Sequence, residues 1–269
     1  MIPTSFNFGN AIEPDYIVKC SYGNDSIALI QWLHEYNQIH PLGKVVVLYN
    51  DTGWGASWWP GRVLNGEKLA SKYGFIPCQT KAKQTWFEMI RKKSMWPEHQ
   101  ARFCTSILKI LPTIQWMTEH DPKGKSETVC GVRREESRER ATWPEWVEAS
   151  EANQGRPQWS PLYAHTTEER DALIIRAGWK PLPHRSRECR CVLAKASDIV
   201  SWDEKDIAEI ERVEMELGKT VPGTHKFMFT PQKKKGEPMG IREVVKWAKR
   251  VEGTEDDTFS GCDSGYCTG

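Results

Sequence analysis

The chain has 269 residues, with 37 Lys+Arg against 36 Asp+Glu and a formal net charge of +1. So even a balance gives no whole-molecule attraction to nucleic acid or to an anionic membrane, and any basic surface is local. Hydrophobic residues make up 39% and charged residues 27%, which excludes a collagen-like chain, global disorder and a polytopic membrane protein.

The length fits one α/β domain of roughly 200 residues with appended segments. Tyr16 to Cys20 is a short β-prone run, followed by turn chemistry at Ser21 to Ser26. Ile27, Leu29, Ile30, Trp32 and Leu33 are dense enough for a helix buried on most sides. Val45 to Tyr49 is a β-branched strand ending at Asn50-Asp51-Thr52-Gly53. A helix is expected over Gly61 to Tyr73, a weaker strand over Phe75 to Cys78, and helices over Thr85 to Lys93 and Thr105 to His120. Thr128 to Val132 reads as a strand and the polar, Trp-containing Ala141 to Gln158 as a loop or lid. Thr167 to Ala177 reads as a helix with Thr166 or Thr167 as N-cap and Gly178 as stop. Asp203 to Leu217 and Ile241 to Val251 are further helices, and Lys233-Lys234-Lys235 is a basic turn, read first as solvated.

Strands alternating with helices predict a Rossmann-like α/β fold: a mostly parallel sheet with helices on both faces. The expected partition is a nucleotide-binding domain over 1–185 and a Cys-bearing helical segment over 186–269. In such sheets ligands sit beyond the carboxyl ends of the strands. Ser21 to Ser26, Asp51 to Gly53 and Arg133 to Arg140 all follow strands, so three strand tips are expected to build one anion pocket.

The individual residues each carry a functional and a bland reading. Gly23 lets backbone approach a ligand, and the N–H groups and helix start beyond it suit a phosphate. The Ser21 and Ser26 hydroxyls could donate to that phosphate. An ordinary N-cap would look similar, and no Walker A pattern is present. Arg133 and Arg140 offer planar forks for phosphate or sulfate, against a surface salt-bridge cluster with Glu135, Glu136 and Glu139. Asp51 could contact ribose or Mg²⁺, or simply form an Asx turn. Cys20, Cys78 and Cys130 lie in apolar strand patterns and read as core. Cys104, Cys189, Cys191, Cys262 and Cys267 lie in polar settings and read as metal ligands, with one thiol left over from a set of four, against free thiols throughout. A [4Fe–4S] cluster is preferred to Zn²⁺ because Cys189 and Cys191 are too close in sequence for an easy chelate of one metal. The 13 Trp read as core and lid packing rather than base stacking. No segment approaches the about 18 apolar residues of a spanning helix, and the first residues carry no secretory leader. The expected setting is cytoplasmic, with no membrane partner.

Ser21-Tyr22-Gly23-Asn24-Asp25-Ser26 resembles the PP-loop, Ser-Gly-Gly-Lys-Asp-Ser, of adenine nucleotide α-hydrolase-like enzymes. Within that superfamily the chain resembles the phosphoadenosine phosphosulfate (PAPS) reductase family. Asp51-Thr52-Gly53 matches its Asp-Thr-Gly, and Cys104 to Pro112 matches its Cys-x-x-x-Leu-Lys-x-x-Pro segment. Gly131 to Arg140 matches Gly-x-Arg-x-x-x-Ser-x-x-Arg, and Trp159-Ser160-Pro161-Leu162 precedes a helix as in the family. Tyr22 and Asn24 depart from the commonest loop, and Asn24 removes one cation from the phosphates.

The resemblance implies an adenine nucleotide, ATP or PAPS/adenylylsulfate, held by residues 21–26, 51–53, Arg133 and Arg140, with Lys109 at its distal anion. It implies thiol attack on a sulfonucleotide, with Cys267 or Cys262 as nucleophile, Lys109 assisting and a thioredoxin-like reductant. It also implies a cluster between Cys104 and the pair Cys189/Cys191, completed by Cys262 and Cys267. Two other function classes stay open: ATP-dependent thiolation or other modification of nucleic acid, and a non-catalytic module binding nucleotide and cluster.

Overall fold

The computed structural model describes residues 11–98, 101–149, 153–183, 188–219, 226–229 and 239–251. Cys262, Cys267 and Lys233 to Lys235 therefore lie outside the described residues. β1 (Tyr16–Cys20), β2 (Val45–Asp51), β3 (Ile76–Lys81), β4 (Glu127–Val129), β5 (Trp146–Val147) and β6 (Gln158–Trp159) form one sheet in the order β3-β2-β1-β4-β6-β5. All pairings are parallel except that of the edge strand β5 with β6. The chain order reverses between β1 and β4, which opens a crevice at their carboxyl ends.

Both faces of the central strands are buried, and the side-chain alternation divides them cleanly. Val18, Cys20, Val45, Val47 and Tyr49 face one core, with α1 (Asn24–Asn37), α2 (Trp59–Lys72) and α6 (Thr167–Arg176). Ile17, Val46, Leu48 and Cys78 face the other, with Trp116 and Met117 of α5 (Leu111–His120). Each fully buried aliphatic side chain contributes about 1.5–3 kcal/mol, so these two layers dominate the stability of the sheet. Cys20, Cys78 and Cys130 are buried, and burial pushes the Cys20 and Cys78 thiols up to about 12.

The helix expected over Thr105 to His120 is present but not uniform. α4 (Phe103–Thr105) runs into a π-turn at Ser106–Ile110 and then into α5. Pro112 has no N–H to give, and the Leu111 N–H reaches back five residues to the Ser106 carbonyl. The strand expected at Thr128 to Val132 is Glu127–Val129, and beyond it Gly131 packs against Asp25. The segment expected as a loop, Ala141 to Gln158, supplies β5 and the first residue of β6.

α3 (Trp86–Lys93), α6 and α8 (Glu204–Gly218) start at capping boxes on Thr85, Thr166 and Asp203. α7 (Ala196–Val200), α8 and α9 (Ile241–Val251) pack Ile199, Ile210, Val213, Val244 and Ala248 against Trp54, Trp86, Trp96 and Leu108. The C-terminal helices thus share a core with the loop after β2 and with α3. Trp54, Trp59, Trp86, Trp96, Trp116, Trp159 and Trp202 are buried, as the packing reading expects, while Trp146 is 48% exposed. Among the described residues no helix is long and apolar enough to cross a membrane.

Candidate nucleotide site at the strand tips

Tyr22, Gly23 and the start of α1 follow β1 at the crevice. Tyr22 adopts φ 57°, a left-handed backbone that a glycine would take without strain. The cost is offset by its ring, which is fully buried against Gly66 and 5.7 Å from the Tyr49 ring. Ser21 and Ser26 brace the loop itself: Ser26 Oγ accepts from the Ser21 N–H at 3.1 Å, and Ser21 Oγ from the Gly23 N–H at 3.3 Å. Gly23 gives α1 no side-chain cap. Asn24 is spent on Leu182, donating from Nδ2 to its carbonyl at 3.1 Å and accepting its N–H at 3.0 Å.

Gly131 lets the β4 loop press on this turn; a Cβ there would sit 3.1 Å from the Asp25 carbonyl oxygen. Two residues on, Arg133 is buried and donates from Nε to Asp25 Oδ1 at 2.7 Å. Its Nη1 reaches Glu135 at 3.2 Å and the His165 carbonyl at 3.3 Å. Arg170 of α6 lies 3.8 Å from the same Asp25 oxygen. The sequence reading missed Arg170, since nothing local sets it apart from other helix-face arginines. Arg140 is also buried, and it pairs with Glu136 one turn back. Both expected forks touch the acidic cluster, Arg133 through Glu135 and Arg140 through Glu136, and Arg133 also reaches the loop at Asp25.

At the tip of β2, Asp51 Oδ1 accepts the Gly53 N–H at 2.8 Å and Oδ2 pairs with Lys81 at 2.7 Å, which is the Asx-turn arrangement. Thr52 is buried and donates from Oγ1 to Glu188 Oε1 at 2.9 Å. The Tyr49 hydroxyl donates to the same oxygen at 2.9 Å, and Lys109 Nζ stands 3.9 Å from Oε2. Glu188 is 4% exposed, and burial raises its pKa against the opposing pull of Lys109. Lys109 therefore meets this carboxylate at the tip of β2.

The 188–190 segment runs beside the loop after β2: Gly55 and Cys189 form an antiparallel bridge, and Arg190 N–H donates to the Trp54 carbonyl at 3.2 Å. Arg190 is buried, lies 4.0 Å over the Trp54 ring and pairs with Glu209 at 2.6 Å. Cys104 and Cys189 border one apolar cluster, and both, like Cys191, are partly exposed. Among the described residues no group of three His, Cys, Asp or Glu side chains could hold a metal ion. The described cysteines alone do not fit a cluster or a zinc ion; Cys262 and Cys267, the other expected ligands, lie outside them.

The sequence matches the phosphoadenosine phosphosulfate reductase domain over residues 15–209. No curated protein matches it. The structure is similar to PAPS reductase from Candida auris in its phosphate complex, at 16% identity and TM-score 0.44, covering 62% of this chain and 75% of that one. It is similar to the U34-tRNA thiolase NcsA from Methanococcus maripaludis with its [4Fe-4S] cluster, at 16% identity and TM-score 0.46, covering 94% and 79%. A third likeness is FMN adenylyltransferase from Candida glabrata, at 11% identity and TM-score 0.40, covering 61% and 49%. With the match spanning most of the chain and its motifs standing at the tips of β1, β2 and β4, the protein belongs to the phosphoadenosine phosphosulfate reductase family.

Proposed function

We propose that this chain binds an adenine nucleotide over the carboxyl ends of β1, β2 and β4 and acts on the anion it carries, as a sulfonucleotide reductase or in a related sulfur or adenylyl transfer. The observation that carries the reading is the 2.7 Å contact between Arg133 and Asp25, which joins the β4 tip to the phosphate loop at the switch point. The uncapped start of α1 offers N–H groups and a positive dipole end to the anion. Arg133, fixed by Asp25, Glu135 and the His165 carbonyl, is preorganised beside it.

For a sulfonucleotide the balanced step is attack of a cysteine thiolate on sulfur. An S–S bond forms, the S–O bond to the phosphate breaks, and the nucleotide leaves with that electron pair. A thiol of a thioredoxin-like reductant then attacks the cysteine sulfur and releases sulfite. Cys262 and Cys267 are the candidate nucleophiles. Cys20, Cys78 and Cys130 are unsuited, because burial raises their pKa values and holds them as thiols.

The test pairs calorimetric titration of adenylylsulfate, PAPS and ATP with a sulfite assay in dithiothreitol or thioredoxin. Binding with sulfite release, both lost in Arg133→Ala, supports the reading. Binding of sulfonucleotide without sulfite rejects reduction, and pyrophosphate release from ATP then identifies the transfer reaction. Failure to bind any of the three rejects the site.

A further inference from the structure

The first turn of α2 packs under the phosphate loop and ties down its carbonyls. Trp59 Nε1 donates to the Ser21 carbonyl at 3.1 Å, and Arg62 Nε donates to the Tyr22 carbonyl at 2.6 Å. Arg62 Nη2 reaches Asn24 Oδ1 at 3.5 Å. Both carbonyls of the turn are thus held by α2. The guanidinium itself stacks between two rings, 4.9 Å from the Trp179 centroid and 5.8 Å from that of Trp59.

The buried arginines Arg133, Arg140, Arg156 and Arg190 each pair with a carboxylate. Among the described residues none pairs with Arg62. Burial lowers its pKa to about 10, with only the Cys20 thiol acting the other way. A partly buried cation with no anionic partner is costly in the empty protein, and the cost is recovered when an anion arrives nearby.

We propose that Arg62 is a determinant of phosphate affinity: its unneutralised charge, held against the Tyr22 carbonyl and Asn24, attracts the anionic end of the nucleotide and sets how strongly the site prefers more highly charged nucleotides. The inference rests on the nucleotide reading above and adds the residue that supplies charge from behind the loop. Arg62 acts on the ligand both through the field and by fixing loop geometry, and the two effects separate by ligand charge. A change of loop geometry weakens every nucleotide alike, whereas a lost charge weakens them in proportion to their phosphates.

The experiment is calorimetric titration of adenosine, AMP and ADP into the wild type, Arg62→Gln and Arg62→Lys. The expected result is adenosine affinity within about twofold of wild type in Arg62→Gln, AMP weakened about tenfold and ADP more, with Arg62→Lys recovering most of the loss. Equal loss for all three ligands, or none for any, overturns the inference while leaving the nucleotide site in place. A wild type that binds none of the three overturns the parent reading and this one with it. Should Arg62→Gln fail to fold, Arg62→Met keeps the stem between the two tryptophans and gives the same comparison.

Discussion

Thr52 and Glu188 are 136 residues apart in the chain, and the Thr52 hydroxyl donates to the Glu188 carboxylate at 2.9 Å. Through that contact the Asp-Thr-Gly turn at the tip of β2 is fixed to the Cys-bearing segment 188–191. The Tyr49 hydroxyl and the Thr52 N–H converge on the same oxygen. Glu188→Ala leaves these donors buried without an acceptor, at about 1–3 kcal/mol for each unpaired group. We expect roughly 3–5 kcal/mol of destabilisation, in line with breaking a buried charged network. Glu188→Gln keeps the accepting oxygen, and its urea midpoint should lie much closer to wild type. Equal loss in the two variants would show that Lys109, not the three donors, sets the cost.

Tyr22 and Gly66 form a second coupled pair. A Cβ on Gly66 would lie 2.1 Å from Tyr22 Cδ1, inside a ring that is fully buried. Gly66→Ala should lower stability by at least about 1–3 kcal/mol through overpacking. Tyr22→Phe removes a hydroxyl that has no hydrogen-bond partner among the described residues, so its melting temperature should equal or exceed wild type. Tyr22→Ala combined with Gly66→Ala should cost less than the sum of the two single changes, as measured by a double-mutant cycle.

Glu214 gives the stability a pH dependence. Its buried carboxylate accepts the Met228 and Ile241 N–H groups, each at 3.0 Å, and burial raises its pKa above the usual 4.5. The folded pKa lies above the unfolded one, so the stabilising contribution is complete below pH 4.5 and is lost as pH rises through the folded value. Glu214→Gln cannot ionise and should lack this fall. Melting temperatures of the two proteins from pH 4 upward should therefore converge, or cross, as pH increases; parallel curves would refute the assignment.

Local pattern made much of this molecule legible in its sequence. The apolar runs at 16–20 and 45–49 needed both sheet faces covered, and the cap at Thr166 stood beside its helix. Loops after strands announced the crevice. What escaped depends on contacts far apart in sequence. Glu188 stands in a basic, Cys-bearing stretch, and its partners Thr52 and Tyr49 lie 136 and 139 residues away. Arg62 looked like an ordinary helix residue, and only the fold places it under the turn at 22–24. The pair β5 and β6 has two residues per strand, too few for any period to appear. Arg140 carried the same motif signal as Arg133, and its pairing with Glu136 follows from the 3₁₀ turns over 134–140.

Hydrogen exchange with and without adenylylsulfate tests the central claim most directly. Amides of residues 23–27, after β1, and of residues 131–135, after β4, should gain protection together and at the same ligand concentration. Both responses should be absent in Arg133→Ala. Protection of one segment alone, or of neither while ligand is bound elsewhere, would contradict a single anion pocket built by the converging strand tips.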